Sequence, residues 1–359
     1  MRLAIEGIGL SGGFGNGVDA LRNVLQSGHV APQTYTLERE SGERSFPAYL
    51  ATPEGLDDFI PKRALRRIDQ YGKLTLLGAC LALQDAGILD ESRERLGVVI
   101  ASGYGALKTT FSFLDSYLDF GYACSSPTHF SNSVHNAAAA HVSMQLKATA
   151  PSLTVSQFEM STASALLTAR QWLAEDRVDR VLFGAIDEHC AVLSYCRERF
   201  FDSGEQGPLE PYAFDRQTAV AGEGGAFFVL SKEHPDARYG HVDEIVLGNA
   251  TVRTPQLPEL PLVIGADGHR ECGAWYPKVA ANCAASMAFA PLYGSFPAAA
   301  ALDLAAAAIM LADDTLYPSP VADPSAAVSP LLQQRPVQSG LACLKFGTGG
   351  DYSLIQLNR

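Results

Sequence analysis

Residues 2–28, RLAIEGIGLSGGFGNGVDALRNVLQSG, set the pattern from which the fold is predicted. RLAIE at 2–6 alternates apolar and polar residues like a short strand, and GIGLSGGFGNG at 7–17 reads as a glycine-rich turn. DALRNVLQSG at 19–28 has the spacing of an amphipathic helix and ends at a glycine. A strand, a loop and a helix in this order are typical of the start of an α/β fold.

Strands and helices continue to alternate along the rest of the chain. Helices are predicted at 63–87 and 161–175, and strands at 96–103, 152–156, 180–183, 225–231, 242–248, 262–266, 341–346 and 352–357. The elements divide into two similar sets, of which the second is shorter. The sequence therefore predicts two related α/β halves.

Gly7, Gly9 and Gly12 spell the G-x-G-x-x-G pattern of dinucleotide-binding proteins. That pattern also requires an acidic residue about 20 residues farther on, at the end of a second strand. The chain has SGHVAP at 27–32 instead. The glycines therefore predict a tight turn, and no cofactor is expected.

The charge balance argues against anionic partners. There are 39 acidic and 27 basic residues, which give a formal net charge of -12. This charge repels nucleic acid and anionic lipid unless a local basic patch reverses the sign, and no such run was identified. The sequence thus predicts neither a nucleic-acid nor a membrane partner.

The chain is expected to be cytoplasmic. The longest stretch of small apolar residues, 298–311, contains Asp303 and is shorter than the ~20 residues of a membrane span. The N-terminus has no signal-peptide pattern. The seven cysteines are odd in number and form no CxxC pair, as expected of reduced thiols.

Six segments, taken in order, resemble successive landmarks of the β-ketoacyl synthase family. They are GIGLSGGFGNG (7–17), RRIDQYGKLTLLGACLALQDAGI (66–88), LGVVIASGYG (96–105), NAAAAHVSMQLKATAPSLTVS (136–156), PYAFDRQTAVAGEGGAFFVL (211–230) and LKFGTGGDYSLIQL (344–357). The resemblance implies a thiolase-like fold with two related halves in a layered αβαβα arrangement. The halves would be residues 1–235 and a shortened second half, 236–359.

Active members of that family carry a nucleophilic cysteine at a helix N-terminus and two histidines. The helix dipole lowers the pKa of the thiol, and the imidazoles assist decarboxylation. Carried over to this chain, the cysteine position falls on Glu159 and the first histidine on Asp267. The second histidine falls on Ser295 or, with a shift of one residue, on Gly294.

The loss of all three groups predicts no catalytic residue and a subunit that does not catalyse the condensation. The resemblance implies a chain-length-factor-like partner of a catalytic ketosynthase, of the type II polyketide or aryl-polyene kind, in a heterodimer. An acyl carrier protein would meet the chain through that complex. The alternatives are an enzyme with new carboxylate chemistry, either a thioester hydrolase or an acyltransferase, or a homodimeric acyl-binding protein.

The role of Glu159 has two interpretations. It could act as a general base with Asp267 as the paired acid, because two carboxyl groups can divide such work when their pKa values differ. It could instead cap its own helix, where negative charge is favoured. We favour capping, since the nearby sequence supplies neither a histidine nor a set of metal ligands.

The remaining candidate residues belong to an interface and to structural turns. The aromatic segment 104–130 is either core packing or, as the resemblance implies, the floor of a partner's acyl tunnel at the dimer interface; its residues are Ala106, Thr109, Phe113, Tyr117 and Phe130. Structural roles are predicted for Glu223, Phe346, Gly347, Gly349 and Gly350, with Glu223 accepting backbone N–H bonds. The groupings His269/Cys272 and Asp187–His189 lack a recognised metal-ligand spacing, so no metal is expected.

Overall fold

The computed structural model describes residues 1–38, 42–200, 207–281, 283, 285–321 and 327–359. The strands in these residues are β1 (Leu3–Gly12), β2 (Gly15–Asn16), β3 (Gln33–Leu37), β4 (Arg44–Tyr49), β5 (Leu96–Ala101), β6 (Ser152–Val155), β7 (Arg180–Asp187), β8 (Ala221–Gly222), β9 (Gly224–Lys232), β10 (His241–Asn249), β11 (Leu262–Ile264), β12 (Ser286–Met287), β13 (Thr315–Leu316), β14 (Arg335–Pro336), β15 (Gly340–Phe346) and β16 (Asp351–Asn358).

The α-helices are α1 (Val18–Ser27), α2 (Lys62–Leu65), α3 (Gln70–Asp85), α4 (Leu107–Phe120), α5 (Pro127–Ser133), α6 (Ala137–Leu146), α7 (Ser161–Ala174), α8 (Ala191–Phe200), α9 (Arg270–Gly273), α10 (Tyr276–Ala280) and α11 (Ala300–Ala312). Short 3₁₀ turns occupy Leu56–Asp58, Tyr122–Cys124, Phe158–Met160, Ala290–Leu292 and Pro297–Ala299. None of the helices in the described ranges is long and apolar enough to cross a membrane.

The main sheet contains the same strand pattern twice. In the first half, β6, β5 and β7 are parallel, and β9 and β1 follow as antiparallel neighbours. In the second half, β12, β11 and β15 are parallel, and β16 and β10 follow as antiparallel neighbours. Short pairing of β1 with β10 joins the two sets. The prediction of two related α/β halves is confirmed.

The helices form layers around these strands. Helices α7 and α11 lie in the centre, and each contacts strands of both halves. Helices α3 and α6 cover the outer face of the first half. Over the second half, α9 and α10 have only four and five residues, so its outer layer is thin. The αβαβα arrangement and the shortened second half are therefore as predicted. The boundary at 235/236 stays a prediction; this position lies between β9 and β10.

The glycines near the N-terminus are a correction to the sequence prediction. Strand β1 extends through Gly7 and Gly9 to Gly12, which pairs with Gly224 of β9. A Cβ on Gly7 would lie 2.4 Å from the backbone N of Ala86, and one on Gly9 would lie 2.1 Å from the carbonyl of Gly78. Gly7 and Gly9 permit close packing of β1 against α3, so a turn at these two positions is wrong. The chain makes its tight turn at residues 13–14, between the paired Gly12 and Gly15.

The predicted helix at 63–87 is two helices, because the chain bends between α2 and α3. Asp69 caps α3, with its Oδ1 accepting a hydrogen bond from the N–H of Gly72 at 2.8 Å. This N-cap begins a new helix at a position where the apolar spacing alone suggested continuity.

Gly78→Ala should destabilise the protein by about 1–3 kcal/mol, because a well-packed core has no room for the extra methyl group. A Cβ on Gly78 would lie 2.1 Å from Cδ2 of Phe227, whose ring is clamped on its other side by Gly184. The change is measured by urea unfolding. Gly207→Ala is the control, because nothing lies within 4 Å of its added Cβ. Equal stability of the two variants would refute this account of the packing.

Candidate functional site

The structure brings Glu159, Asp267 and Ser295 into one region. Asp267 follows the end of β11, and its Oδ2 accepts a hydrogen bond from the Ser295 hydroxyl at 3.0 Å. Glu159 lies in the 3₁₀ turn between β6 and α7, and its Oε2 is 3.5 Å from the position that a Cβ of Gly347 would occupy. Gly294 has no side chain, so of these two candidates only Ser295 contributes a functional group to the region.

Lys345 completes the site, and the sequence reasoning missed it. The side chain comes from β15 and is 4% exposed. Its Nζ donates to the carbonyl of Gly265 at 2.8 Å and to Oδ2 of Asp267 at 2.9 Å. The available signal was a lone charged residue within the apolar run LACLKF.

The ion pair sets the protonation of Asp267. Burial alone would raise the pKa of the Asp267 carboxyl, but the ammonium of Lys345 outweighs this effect with help from His269 and Ser295, and the pKa is below its ordinary value. Burial likewise opposes the charge on Lys345, yet Asp267 holds the pKa of that ammonium above its ordinary value. Both groups are therefore charged at neutral pH.

Two further basic side chains border the pair. Arg197 of α8 donates through Nη2 to the carbonyl of Ser295 at 2.6 Å, and burial lowers the pKa of its guanidinium. His269 has its Nδ1 3.0 Å from Nε2 of Gln217. Burial lowers the pKa of His269 to about 4. This imidazole is therefore neutral at neutral pH.

Glu159 does not have the environment that helix capping predicts. The N-cap of α7 is Met160, and no side chain caps this end of the helix. The carboxyl of Glu159 lies instead near Lys345: burial raises its pKa, and the nearby ammonium partly offsets the rise. Glu159 thus lies beside the ion pair, in the 3₁₀ turn that leads into α7, where its carboxyl accepts its own backbone N–H without capping α7 itself.

These protonation states limit the chemistry. Asp267 remains ionised and engaged by Lys345, so it has no proton to give as the acid of a carboxyl pair. The thiol of Cys272 is buried, and burial raises its pKa to about 12. It therefore stays protonated and is a poor nucleophile.

Neighbouring acidic residues have structural contacts. Glu223 accepts backbone N–H bonds from Ala51 and His189, each at 2.9 Å. Asp187 accepts four hydrogen bonds, and Glu188 accepts one from the N–H of Lys108 at 3.0 Å. Within the described ranges, no three His, Cys, Asp or Glu residues are placed to hold a metal ion.

The C-terminal glycine turn joins β15 to β16. Gly347 donates its N–H to the carbonyl of Asp351 at 2.8 Å, and Gly350 adopts a φ of 81°. Gly349 lies between them, and the Phe346 ring packs against Tyr276 with centroids 5.1 Å apart. This turn closes one side of the site, because Gly347 lies next to Glu159.

The five predicted tunnel residues do not share one surface. Ala106 is buried, and the buried Thr109 donates its hydroxyl to Oδ2 of Asp69 at 2.6 Å. Both side chains therefore face the interior of their own chain. The prediction that they line a partner's tunnel together with Phe113 is wrong for these two residues. The half-buried Phe113 ring packs on Phe130 with centroids 5.4 Å apart, and Tyr117 and Phe130 are exposed.

Residues 107–134, which we term the arm, carry an exposed apolar surface. It is formed by Phe111, Leu114, Tyr117, Leu118, Phe120, Tyr122, Phe130 and Val134. The end of the main sheet adds to this surface: β6 is its outer strand, and Leu153 of β6 is exposed. A large apolar surface beside an open strand edge is typical of a protein interface.

An exposed basic cluster was also missed. Arg63, Arg66 and Arg67 are exposed in and just after α2, and no acidic side chain of the described residues lies within ion-pair distance of them. Lys62 lies beside them and pairs with Asp57 at 3.1 Å. The signal was the PKRALRR sequence, which the net negative charge obscured.

Comparisons with known proteins agree with this architecture. The N-terminal domain of β-ketoacyl synthases matches residues 1–235. The 3-oxoacyl-[acyl-carrier-protein] synthase 2 of Rhizobium meliloti (strain 1021) is 28% identical over 269 residues, which cover 69% of this chain. The matched part spans 63% of the length of that relative.

Two solved structures share the fold over nearly the whole chain. A chain of the ishigamide ketosynthase/chain length factor superposes with a TM-score of 0.81 at 18% identity and covers 99% of this chain and 98% of its own length. A chain of the ketosynthase ApeO in complex with its chain length factor ApeC, from Xenorhabdus doucetiae, gives a TM-score of 0.78 at 15% identity, with coverage of 99% and 98%.

Lys345→Met should destabilise the protein by about 3–5 kcal/mol at pH 7, because it leaves Asp267 charged and buried without its partner. In the wild type, the depressed pKa of Asp267 means that its contribution is present above the ordinary carboxyl pKa of about 3.9 and is lost as the pH falls below it. In the variant, the largest opposing interaction is gone, and burial raises the pKa of Asp267 despite the remaining hydrogen bond from Ser295. The deficit relative to wild type should therefore shrink as the pH is lowered from 7 to 5.

Urea unfolding at both pH values measures this difference. The double variant Asp267→Asn/Lys345→Met is the control and should recover part of the loss at pH 7. A single variant as stable as wild type at pH 7 would show that the ion pair is not needed.

Proposed function

The chain belongs to the β-ketoacyl synthase family, and we propose that it is a non-catalytic, chain-length-factor-like partner of a ketosynthase that keeps its cysteine. The complex would extend acyl chains in polyketide or polyene synthesis. This chain would shape the acyl tunnel and stabilise the heterodimer.

The observation that carries the proposal is the buried ion pair between Lys345 and Asp267, whose Nζ and Oδ2 atoms are 2.9 Å apart. By the sequence resemblance, Asp267 and Ser295 correspond to the family's two histidines. Glu159 stands at the cysteine position, where an acyl-carboxylate would be a labile mixed anhydride. Lys345 and Asp267 thus hold each other, and neither the buried thiol of Cys272 nor the neutral imidazole of His269 supplies a thiolate or an imidazolium.

The exposed apolar surface of the arm and the open edge of β6 are evidence for a protein partner. An isolated chain with this apolar surface is expected to be poorly soluble, and burial against a second subunit would offset the cost of exposure. The names of the two similar solved structures include a ketosynthase and a chain length factor. A heterodimer with a ketosynthase is therefore the assembly we propose.

Phe113, Tyr117 and Phe130 are the residues we propose for the tunnel floor. They lie on the arm, where a partner would cover them. Ala106 and Thr109 would act indirectly, by anchoring the first turn of α4 to the core through the Thr109–Asp69 hydrogen bond.

An acyl carrier protein is the second proposed partner. The name of the Rhizobium relative includes an acyl carrier protein. The cluster of Arg63, Arg66 and Arg67 gives this acidic chain a local positive surface, which suits a negatively charged protein domain.

The alternatives have less support. The carboxyl pair predicted from the sequence needs Asp267 as its acid, and Lys345 keeps Asp267 ionised. A homodimeric acyl-binding protein would use the same arm, and the mass of the native assembly distinguishes it from a heterodimer.

Glu159→Cys should not make this chain a condensing enzyme. The variant restores a thiol, but Asp267 and Ser295 supply no imidazole for decarboxylation. Elongation of malonyl thioesters by the purified variant is measured without a partner, and the expected rate equals the background rate.

The matched control is the complex with wild-type chain and a ketosynthase whose own nucleophilic cysteine is changed to alanine. That complex should lose elongation, because the partner carries the chemistry. Sustained elongation by Glu159→Cys alone would defeat the proposal of a non-catalytic subunit.

Phe113→Ala should lengthen the products of the 1:1 complex reconstituted with its carrier protein. Removal of the ring leaves space for additional methylene groups, each worth ~0.8 kcal/mol when buried. The measurement is the distribution of product lengths by mass spectrometry, after native mass has established the 1:1 assembly.

Phe111→Ala is the control for Phe113→Ala, because position 111 lies on the opposite side of α4. It should leave the distribution unchanged. If the Phe113→Ala complex assembles normally and its products have the wild-type length distribution, the arm does not form the end of the tunnel.

A further inference from the structure

Phe158 combines a strained backbone with an exposed ring. Its φ is 45°, in the left-handed region that bulky side chains rarely adopt. Its side chain is 60% exposed. The isolated chain therefore bears the conformational cost without the stabilisation that burial of the ring would give.

This conformation differs from the other left-handed residues that are not glycine. Among the described residues these are Lys147, Asp176 and Asp314, and each lies at the end of a helix. A left-handed residue there is an ordinary way to terminate the helix. Phe158 instead precedes α7, so helix termination does not account for its conformation.

The turn is held in place by hydrogen bonds around it. The N–H of Gln157 donates to the Ser161 hydroxyl at 2.7 Å, which donates in turn to the carbonyl of Ser102 at 3.0 Å. Ser164 donates its hydroxyl to Oε1 of Gln157 at 2.6 Å. These contacts hold Phe158 outward, while the carboxyl of Glu159, the next residue, lies beside Gly347.

The ring continues an apolar surface of the sheet edge. Phe158 follows the outer strand β6, on which Leu153 is exposed. Its ring meets the half-buried Tyr104 edge-on, with centroids 6.2 Å apart. The outer strand, Phe158 and Tyr104 thus form one border of the surface that continues into the arm.

We infer that Phe158 is an anchor residue for the ketosynthase partner, whose surface buries the ring and so offsets the strain of the turn. This inference rests on the proposed function and adds a residue outside the arm to its interface. Buried aromatic anchors contribute disproportionately to protein–protein affinity. Phe158 and Glu159 lie in one 3₁₀ turn, so burial of the Phe158 ring would also hold Glu159 in position beside the ion pair.

Two variants separate the effect of the Phe158 ring from the effect of the backbone strain. Phe158→Ala removes the ring and keeps a Cβ in the left-handed region, whereas Phe158→Gly removes both. Each should weaken binding of the ketosynthase about tenfold or more, as measured by titration calorimetry. The isolated Gly variant should unfold at a higher temperature than the isolated Ala variant, because only the Ala variant keeps the strain.

Asp176→Ala and Asp176→Gly are the matched controls, because Asp176 has a φ of 54° at the end of α7. The same order of unfolding temperatures is expected, with affinity for the partner unchanged. Wild-type affinity in both Phe158 variants would overturn the inference alone. A wild-type chain that binds no ketosynthase would overturn the proposed function together with it.

Discussion

The geometry of the site depends on the buried carboxylate of Asp187. It accepts hydrogen bonds from the Ser102 hydroxyl at 2.7 Å, from the N–H groups of Gly103 and Tyr104, and from the N–H of Ala298 at 2.9 Å. One acceptor thus joins the loop after β5 to the turn that begins α11. The carbonyl of Ser102 also accepts a hydrogen bond from the Ser161 hydroxyl, so the start of α7 is held to the same loop. Glu159 and Ser295 are a few residues from these anchored points.

The central charges of the site are paired within the chain. Asp267 and Lys345 form an almost completely buried ion pair, and the carboxyl of Glu159 and the guanidinium of Arg197 lie beside it. A buried ion pair is weak support for stability, yet loss of either partner is costly.

The sequence predicted those features that depend on local patterns. The apolar runs at 96–103 and 180–183 are β5 and β7, and the small residues of 161–175 are α7. Prediction from the sequence failed where contact with a distant segment of the chain decides the local structure. Gly7 and Gly9 look like turn residues until α3 is packed against them, and the role of Lys345 requires Asp267 from a different strand end. Ala106 and Thr109 were misplaced for the same reason, since the Asp69 that receives Thr109 precedes it by 40 residues.

The central layer has a consequence for the order of folding. Helix α11 is buried along Ala300–Leu311 between both sets of strands, and β1 pairs with β9 and β10 from far along the chain. During synthesis, the first half must therefore leave the ribosome with the inner face of α7 and its strands uncovered until α11 arrives. Pairings between such distant segments form slowly and expose apolar surface while they wait. The nascent chain is therefore most prone to aggregation in the interval before α11 has been synthesised.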